Sequence, residues 1–225
     1  MHALKIFFSF QLLAFGLMSL SHAVNMAPSD VLLNVATQCI NPKAKNYCSS
    51  CVSPRSDANC PAANECKKTI DVWSENEQFV AIREAKMCGC PKDFVHGLAM
   101  PRNPITGVED PKRQEEIWGF AWKAAQGQIK TGSIALAVNP RTQRSQNQLH
   151  VHIARLDPKS ISKISQYPHA YIDDLTGVWG VADRIAVKSA LNEYGVLVTQ
   201  SAPGQYMVLV TPNSAEKEFV LWSCE

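Results

Sequence analysis

Charge of either sign is scarce in this sequence, and positive and negative residues nearly cancel. Of its 225 residues 19% are charged, and the formal net charge is +2. Aromatic residues make up only 8%, and they do not alternate with a dense basic patch of the kind that binds nucleic acid. We therefore expect a globular protein without a nucleic-acid partner.

Long apolar runs are also scarce, since the chain has a single one. It covers residues 6–20, follows a weakly positive start and leads into Ser21-His22-Ala23, whose small residues suit a signal peptidase. The run is short for a membrane-spanning helix, which needs about 20 residues. We predict a secretory signal peptide over residues 1–23, with an uncleaved anchor as the alternative. The mature protein is expected to be soluble or bound peripherally to a membrane surface.

Cysteine is absent from this leading segment, and all eight cysteines follow it. They are Cys39, Cys48, Cys51, Cys60, Cys66, Cys88, Cys90 and Cys224. An even number in an exported chain predicts four disulfides, although Cys48-x-x-Cys51 also has zinc-ligand spacing. Cys88 and Cys90 stand too close for an easy mutual bond, so each is expected to pair elsewhere. Residues 24–68 are predicted to be a Cys-rich segment with too few large apolar residues for a core of its own.

The order of apolar patterns predicts an α+β fold built on an antiparallel sheet. Predicted helices cover about residues 30–38, 110–128, 159–164 and 181–193. Predicted strands cover residues 69–73, 78–84, 94–100, 133–138, 148–156, 196–200, 206–211 and 219–222. The helix at 110–128 is expected to pack behind the sheet, with Trp118 and Trp122 in the core.

Acidic residues and cysteines are missing around the most informative stretch, Gln-Asn-Gln-Leu-His-Val-His-Ile at residues 146–153. In a strand, residues two apart share a face, so Gln148, His150 and His152 should lie side by side. Two neighbouring imidazoles suit a nucleophile with a proton-handling partner. The same pattern also suits zinc ligands or a half-exposed surface strand. Because no acidic residue or cysteine stands nearby in the sequence, we predict no metal.

A cationic, hydroxyl-bearing loop precedes the histidines. It carries Asn139, Arg141, Arg144 and Ser145, between two strands that read as a hairpin. Arginine holds phosphate bidentately, and serine or asparagine adds hydrogen bonds. These four residues are therefore candidate substrate-binding residues for a phosphoryl group.

This region resembles the CDP-diacylglycerol pyrophosphatase family. The resemblance is carried by Ala-Val-Asn-Pro-Arg-Thr-Gln-Arg-Ser-Gln-Asn-Gln-Leu-His-Val-His-Ile at residues 137–153. The pattern Gln-x-His-x-His is also similar to the alternating histidines of the histidine-triad (HIT) superfamily. Further similar pieces lie at residues 98–101, 105–109, 118–122, 194–198 and 223–225. The resemblance thus extends from about Thr69 to the end of the chain.

The resemblance implies a HIT-like catalytic domain over residues 69–225. It implies hydrolysis of the pyrophosphate bond of CDP-diacylglycerol to CMP and phosphatidate, without a cofactor. His150 matches the middle histidine of the triad, which is the superfamily's nucleophile, and would form a nucleotidyl-histidine intermediate. His152 would bind phosphate and orient His150. Gln148 replaces the first histidine of the triad and would donate to a phosphate oxygen.

Other assignments stay open at this point. His96 lies mid-strand beside Gly97, which would allow a ligand to approach closely, so it is either a structural histidine or a contact to base or ribose. A HIT-type hydrolase or transferase with another nucleotide substrate, and a non-enzymatic, disulfide-stapled binding protein, are the alternative functions. The expected location is exported, which in a Gram-negative bacterium means periplasmic or associated with the inner membrane. The oligomeric state is left open, a homodimer included.

Overall fold

Eight antiparallel strands form one sheet in the part of the chain that the computed structural model describes, residues 27–61, 63–130 and 133–224. In chain order they are β1 (Val72–Glu75), β2 (Phe79–Arg83), β3 (His96–Pro101), β4 (Ile134–Val138), β5 (Val151–Arg155), β6 (His169–Ile172), β7 (Gly195–Ala202) and β8 (Gln205–Thr211). Their order in the sheet is β1-β2-β3-β5-β4-β7-β8-β6. The α+β class and the antiparallel sheet are confirmed. The predicted signal peptide lies outside the described residues.

Six α-helices accompany the sheet in the described residues. They are α1 (Val31–Gln38), α2 (Tyr47–Ser50), α3 (Glu116–Gln128), α4 (Ile161–Ile164), α5 (Val178–Lys188) and α6 (Ala215–Phe219). Short 3-10 turns lie at Pro28–Asp30, Cys66–Lys68, Ala85–Met87, Arg141–Gln143, Pro158–Ser160 and Leu175–Gly177. None of the helices in these ranges is both long and apolar enough to cross a membrane.

Helices α3 and α5 cover one face of the sheet. Their buried residues pack against Val151 and Ile153 of β5, and the rings of Trp118 and Trp179 meet with centroids 4.7 Å apart. Trp118 and Trp122 are buried in this layer, as expected. Because Val151 and Ile153 point to this side, His152 points to the other.

The histidine face of the sheet is covered only at its two ends. Near β1–β3 the cover is the Cys-rich segment, whose Val35 and Ile40 pack with Ile70 over Leu98 and Met100. Near β4, β7 and β8 the cover is formed by α6 and the segment after it, including Phe219 and Val220. Leu98 and Ala137 are the register partners of His152 on either side. The histidine therefore lies between the two covers.

Two disulfides lie within the Cys-rich segment, two others tie the covers to the connection between β2 and β3, and no described cysteine is free. The pairs are Cys39–Cys51, Cys48–Cys60, Cys66–Cys88 and Cys90–Cys224. The prediction of four disulfides is confirmed, and Cys88 and Cys90 each pair elsewhere. The zinc alternative for Cys48 and Cys51 is wrong, because each of these sulfurs is bonded to another cysteine.

Several element boundaries differ from the predictions. Residues 219–222 were predicted to be a strand, but α6 occupies part of this stretch, and a single bridge between Leu156 and Val220 is what pairs there. The reason is the cap of α6, where the Ser214 side chain accepts a hydrogen bond from the Lys217 backbone. Helix α3 begins at Glu116 rather than at residue 110. The Asp110 carboxylate accepts the backbone N–H groups of Thr106 and Lys112, which fixes a turn before the helix.

Candidate active site

A cavity of about 490 Å³ opens between the two covers of the histidine face. The polar side chains that line it come from the loop after β4, from the start of β5, from the segment after β2 and from the C-terminal cover. They include Asn139, Arg144, Ser145, His150, His152, Glu84, Lys86 and Glu216. A concave site with converging polar groups is the ordinary form of a small-molecule site.

His150 offers one ring nitrogen to this cavity. It lies immediately before β5, and its side chain is largely buried. Its Nδ1 is 2.8 Å from the carbonyl oxygen of Gln148. Since a carbonyl only accepts, Nδ1 must carry the proton, which leaves a lone pair on Nε2. No hydrogen-bond partner of Nε2 occurs among the residues that the structure describes, so this nitrogen is available to an electrophile.

His152 is held from both sides. Asn139 Nδ2 lies 3.4 Å from its Nε2, and His96 Nε2 lies 3.1 Å from its Nδ1. His96 Nδ1 lies 3.3 Å from the carbonyl oxygen of Trp222. The Asn139 amide donates to His152 Nε2, so His152 carries its proton on Nδ1 and donates it to His96 Nε2. His96 then carries its proton on Nδ1, which donates to the Trp222 carbonyl. Each of the two rings therefore has one proton and is neutral.

Burial keeps the three histidines uncharged. It lowers the pKa of His150, lowers that of His152 well below its usual value and lowers that of His96 to about 4. The ring of His152 meets that of His150 edge-on, with centroids 4.9 Å apart. The packing therefore positions a neutral His150 ring.

Two expected substrate contacts are placed elsewhere by the structure. His96 is fully buried behind His152 and does not line the cavity, so it is the structural histidine of the two alternatives. Gly97 makes room for Trp73 rather than for a ligand, since a Cβ there would lie 2.0 Å from the indole ring. Arg141 is exposed, pairs with Glu193 and is absent from the cavity lining.

Gln148 does not have the contacts expected of a phosphate donor. Its Nε2 donates to the carbonyls of Pro101 and Asn103, both at 2.8 Å, and its Oε1 accepts from the backbone of Ile105. It is almost fully buried and does not line the cavity. Its side chain thus fixes the backbone whose carbonyl orients His150.

The other three loop candidates do line the cavity, in different ways. The guanidinium of Arg144 is paired bidentately with Glu109, with 2.8 Å from Nη1 to Oε2. The hydroxyl-bearing Ser145 lines the wall beside it. Asn139 is buried, and its Oδ1 accepts from the Ser214 hydroxyl and from the backbone of Glu216. Of the three, Asn139 is the most constrained, because both ends of its amide are engaged.

Two carboxylates and an ammonium beside the histidines were missed by the sequence reasoning. Glu216 Oε2 is 3.5 Å from His152 Nε2, and Glu84 Oε2 is 3.2 Å from His96 Nε2. Lys86 Nζ is 2.5 Å from Glu216 Oε1 and 3.5 Å from Glu84 Oε1. Burial raises the pKa of Glu84 to about 7. The expectation that no acidic residue stands near the histidines is therefore wrong, because the fold brings these residues in from distant segments.

These carboxylates and histidines could hold a metal ion. Glu84, His96, His152 and Glu216 each place one donor atom within 4.8 Å of the others, and histidine with carboxylate is a common zinc donor set. The Lys86 ammonium lies against Glu216 and near Glu84, and its single charge offsets one of the two carboxylates. The donor types therefore fit a cation, which would compete with Lys86 for these carboxylates.

Comparison with known proteins identifies the family. A family model described as CDP-diacylglycerol pyrophosphatase matches residues 30–174, which is more than half of the chain. The match includes the Cys-rich segment, where the sequence reasoning had found no resemblance, as well as His150 and His152. It ends before Glu216.

A relative from Mycobacterium leprae (strain TN), named "Probable CDP-diacylglycerol pyrophosphatase", is 32% identical over 80 residues. The alignment covers 31% of this chain and 30% of the relative, so it spans less than a third of that protein's length. The family match covers strands β1 to β6, the loop after β4 and the two histidines of the cavity. This chain belongs to the CDP-diacylglycerol pyrophosphatase family.

Proposed function

We propose that this protein hydrolyses the pyrophosphate bond of CDP-diacylglycerol and releases CMP and phosphatidate. The observation that carries the chemistry is His150, whose Nδ1–H is fixed on the Gln148 carbonyl, so that Nε2 has the lone pair, and whose ring lines the cavity. The substrate is supported by the family to which the chain belongs.

In the proposed first step His150 Nε2 attacks the phosphorus next to cytidine. The new N–P bond forms as the bond to the bridging oxygen breaks, and phosphatidate leaves with that electron pair. The ring becomes positively charged, and the Gln148 carbonyl, 2.8 Å from Nδ1, stabilises the charge. Water then attacks the same phosphorus and loses a proton to the solvent, the N–P bond breaks with its electron pair returning to Nε2, and CMP leaves. Two easier displacements thus replace one difficult one.

Positive groups around the cavity are suited to the charge that develops on the phosphates. Lys86 and Arg144 both line it, and cationic groups that are already oriented stabilise such charge efficiently. Ser145 adds a hydroxyl donor. His152 has both ring nitrogens engaged, so we assign it the positioning of His150 in preference to direct phosphate binding.

We also propose that the protein works on the exported side of a membrane, periplasmic or bound peripherally to the inner membrane in a Gram-negative bacterium. Four disulfides favour an oxidising compartment. The predicted signal peptide points to the same side. The acyl chains of the substrate would then remain largely in the bilayer while the nucleotide enters the cavity.

The function is tested with liposomes that contain CDP-diacylglycerol, incubated in water enriched in oxygen-18. CMP and phosphatidate should appear in equal amounts, with the label in CMP because water attacks the cytidine-linked phosphorus. CDP-choline, UDP-sugars and diadenosine polyphosphates are offered alongside. Faster turnover of a soluble nucleotide, without phosphatidate, would favour a general HIT-type enzyme, and no turnover at all would favour a binding protein.

The pH profile is expected to remain flat to values below the ordinary histidine pKa. Burial lowers the pKa of His150, and the neutral ring is the nucleophile, so activity is lost only as pH falls through this lowered pKa. The acid limb of kcat/KM, which reports the free enzyme, should therefore lie below a pH of about 6.5. Its measurement between pH 4 and 8 checks this, and an acid limb at higher pH would contradict it.

Activity is expected to survive dialysis against EDTA. The reason is Lys86, whose ammonium already lies against Glu216 and near Glu84 and supplies the positive charge that a metal ion would bring. Turnover before and after dialysis is compared at equal protein concentration. A loss of activity that zinc or another divalent ion restores would show that a metal displaces Lys86 in the working enzyme.

A further inference from the structure

One wall of the cavity is aliphatic. Helix α1 contributes Val31, Leu32 and Val35, and the sheet and the segment before it contribute Ile70, Ile82 and Leu98. None of these six side chains carries a hydrogen-bonding group. The wall belongs to the same cavity as His150 and His152. Val31 and Leu32 are half-buried and present most of its accessible surface, while the other four side chains are buried behind that surface.

Hydrogen bonds fix this wall relative to the nucleophile. The backbone N–H of Leu32 donates to Gln146 Oε1 at 3.0 Å, and Gln146 Nε2 donates to the carbonyl of Pro28 at 2.9 Å. The backbone of Asn147 donates to the carbonyl of Ser29 at 2.8 Å. The loop that leads into His150 is therefore joined directly to the start of α1. These hydrogen bonds therefore fix the position of the wall relative to His150.

The chemistry of the two sides of the cavity differs. A cytosine ring presents an amino group, a carbonyl and a ring nitrogen, which need polar partners when buried. The aliphatic wall offers none. Trp222 also lines the cavity and is 39% exposed, and the ammonium groups of Lys86 and Lys217 lie 5.5 and 5.9 Å from its ring centroid, so this side of the cavity suits the charged and polar part of the nucleotide. The methylene groups of a lipid, by contrast, need only an apolar surface.

We propose that this aliphatic wall binds the first methylenes of the diacylglycerol part of the substrate, next to the diphosphate. The inference rests on the proposed hydrolysis of CDP-diacylglycerol and adds the place where the lipid is recognised. A cavity of about 490 Å³ is of the size that holds one drug-sized ligand. It accommodates the nucleotide diphosphate and the start of the chains, and the rest of each chain stays outside.

The wild-type enzyme provides the first test. We would measure kcat/KM for CDP-glycerol and for CDP-diacylglycerols with acyl chains of two, four, six and eight carbons, each below its micelle-forming concentration. The wall predicts a rise from CDP-glycerol over the first chain lengths, followed by a plateau once the wall is covered. Equal values across the series would overturn the proposal, while turnover of the series would still support the proposed function.

A variant pair provides the second test. Val31→Thr with Leu32→Asn keeps the side-chain sizes close and makes the wall polar. The matched control is Val187→Thr with Ile161→Asn, two exposed aliphatic residues that do not line the cavity. The measured quantity is the ratio of kcat/KM for the six-carbon lipid to that for CDP-glycerol, with the four disulfides verified by mass in every protein.

The wall variant is expected to lower this ratio about tenfold or more, which is the scale of one misplaced apolar contact in a binding pocket. The control variant should keep the wild-type ratio. An equal fall for both substrates would make the wall merely structural and overturn the proposal. A fall for CDP-glycerol alone would assign the wall to the nucleotide and also overturn it. If the wild-type protein hydrolyses neither substrate, the proposed function itself fails.

Discussion

Alanine in place of His150 is expected to abolish turnover of CDP-diacylglycerol, with kcat lowered about 10⁴-fold or more. The substitution removes Nε2, the ring nitrogen that faces the cavity, and with it the covalent route. The measurement is CMP release under saturating substrate. Quenching of the wild-type enzyme in alkaline denaturant, which preserves a bond between phosphorus and imidazole nitrogen, should trap a labelled protein when the cytidine-linked phosphorus of the substrate carries the label. The variant should not form this labelled protein.

His169→Ala is the matched control for this substitution. The Nδ1 of His169 is also 2.8 Å from the carbonyl oxygen two residues earlier, that of Tyr167, but the side chain lies on β6, away from the cavity. Both variants therefore lose a hydrogen bond from a histidine ring to the carbonyl two residues earlier. Wild-type turnover by His150→Ala, or an equal loss in both, would refute the assignment of His150 as nucleophile.

Among the four disulfides, removal of the one between Cys90 and Cys224 is expected to cause the largest loss of stability. The bond closes a loop of 134 residues, and disulfides stabilise more when the loop they close in the unfolded chain is longer. Cys90→Ser with Cys224→Ser should lower the free energy of unfolding by about 2–5 kcal/mol. Denaturant titration under non-reducing conditions measures it.

Cys48→Ser with Cys60→Ser serves as the comparison, because that bond spans only 12 residues. Chain entropy alone makes the expected loss about 2 kcal/mol smaller than for the long loop. Similar losses in the two variants would show that local packing, and not loop closure, determines the contribution of these bonds. A larger loss from the short loop would contradict the prediction outright.

The sequence predicted the parts of the molecule that depend on local pattern. The alternation around His152 placed it on the face opposite Val151 and Ile153, and the even cysteine count predicted the disulfides. Periodicity also located most strands to within a few residues. Strand position and side-chain alternation depend on neighbouring residues in the chain, and the disulfide prediction depends on the number of cysteines. Neither requires knowledge of tertiary contacts.

The sequence could not predict the partners that folding brings in from far away. Glu216 follows the capping residue Ser214 and has no local feature that separates it from a surface carboxylate, yet it lies beside His152. Lys86 sits after β2 and reaches Glu216 across 130 positions of the chain. Gln148 was predicted to share a strand face with the histidines, but it precedes β5 and its side chain is bound to the carbonyls of Pro101 and Asn103, which pattern alone does not reveal.

The asparagine at position 139 has an effect that extends well beyond its own contacts. Two donors fix its oxygen, so its nitrogen must face Glu216 Oε2, at 3.0 Å, and His152 Nε2, at 3.4 Å. That orientation leaves His152 Nε2 without a proton. His152 in turn donates from Nδ1 to His96 Nε2, so the proton of His96 lies on Nδ1, next to the carbonyl of Trp222. One side-chain amide thereby specifies the location of every proton in a row of three residues. Aspartate at this position would offer no N–H to His152, and the carbonyl of Trp222 alone would then hold the proton order of the two rings behind the nucleophile.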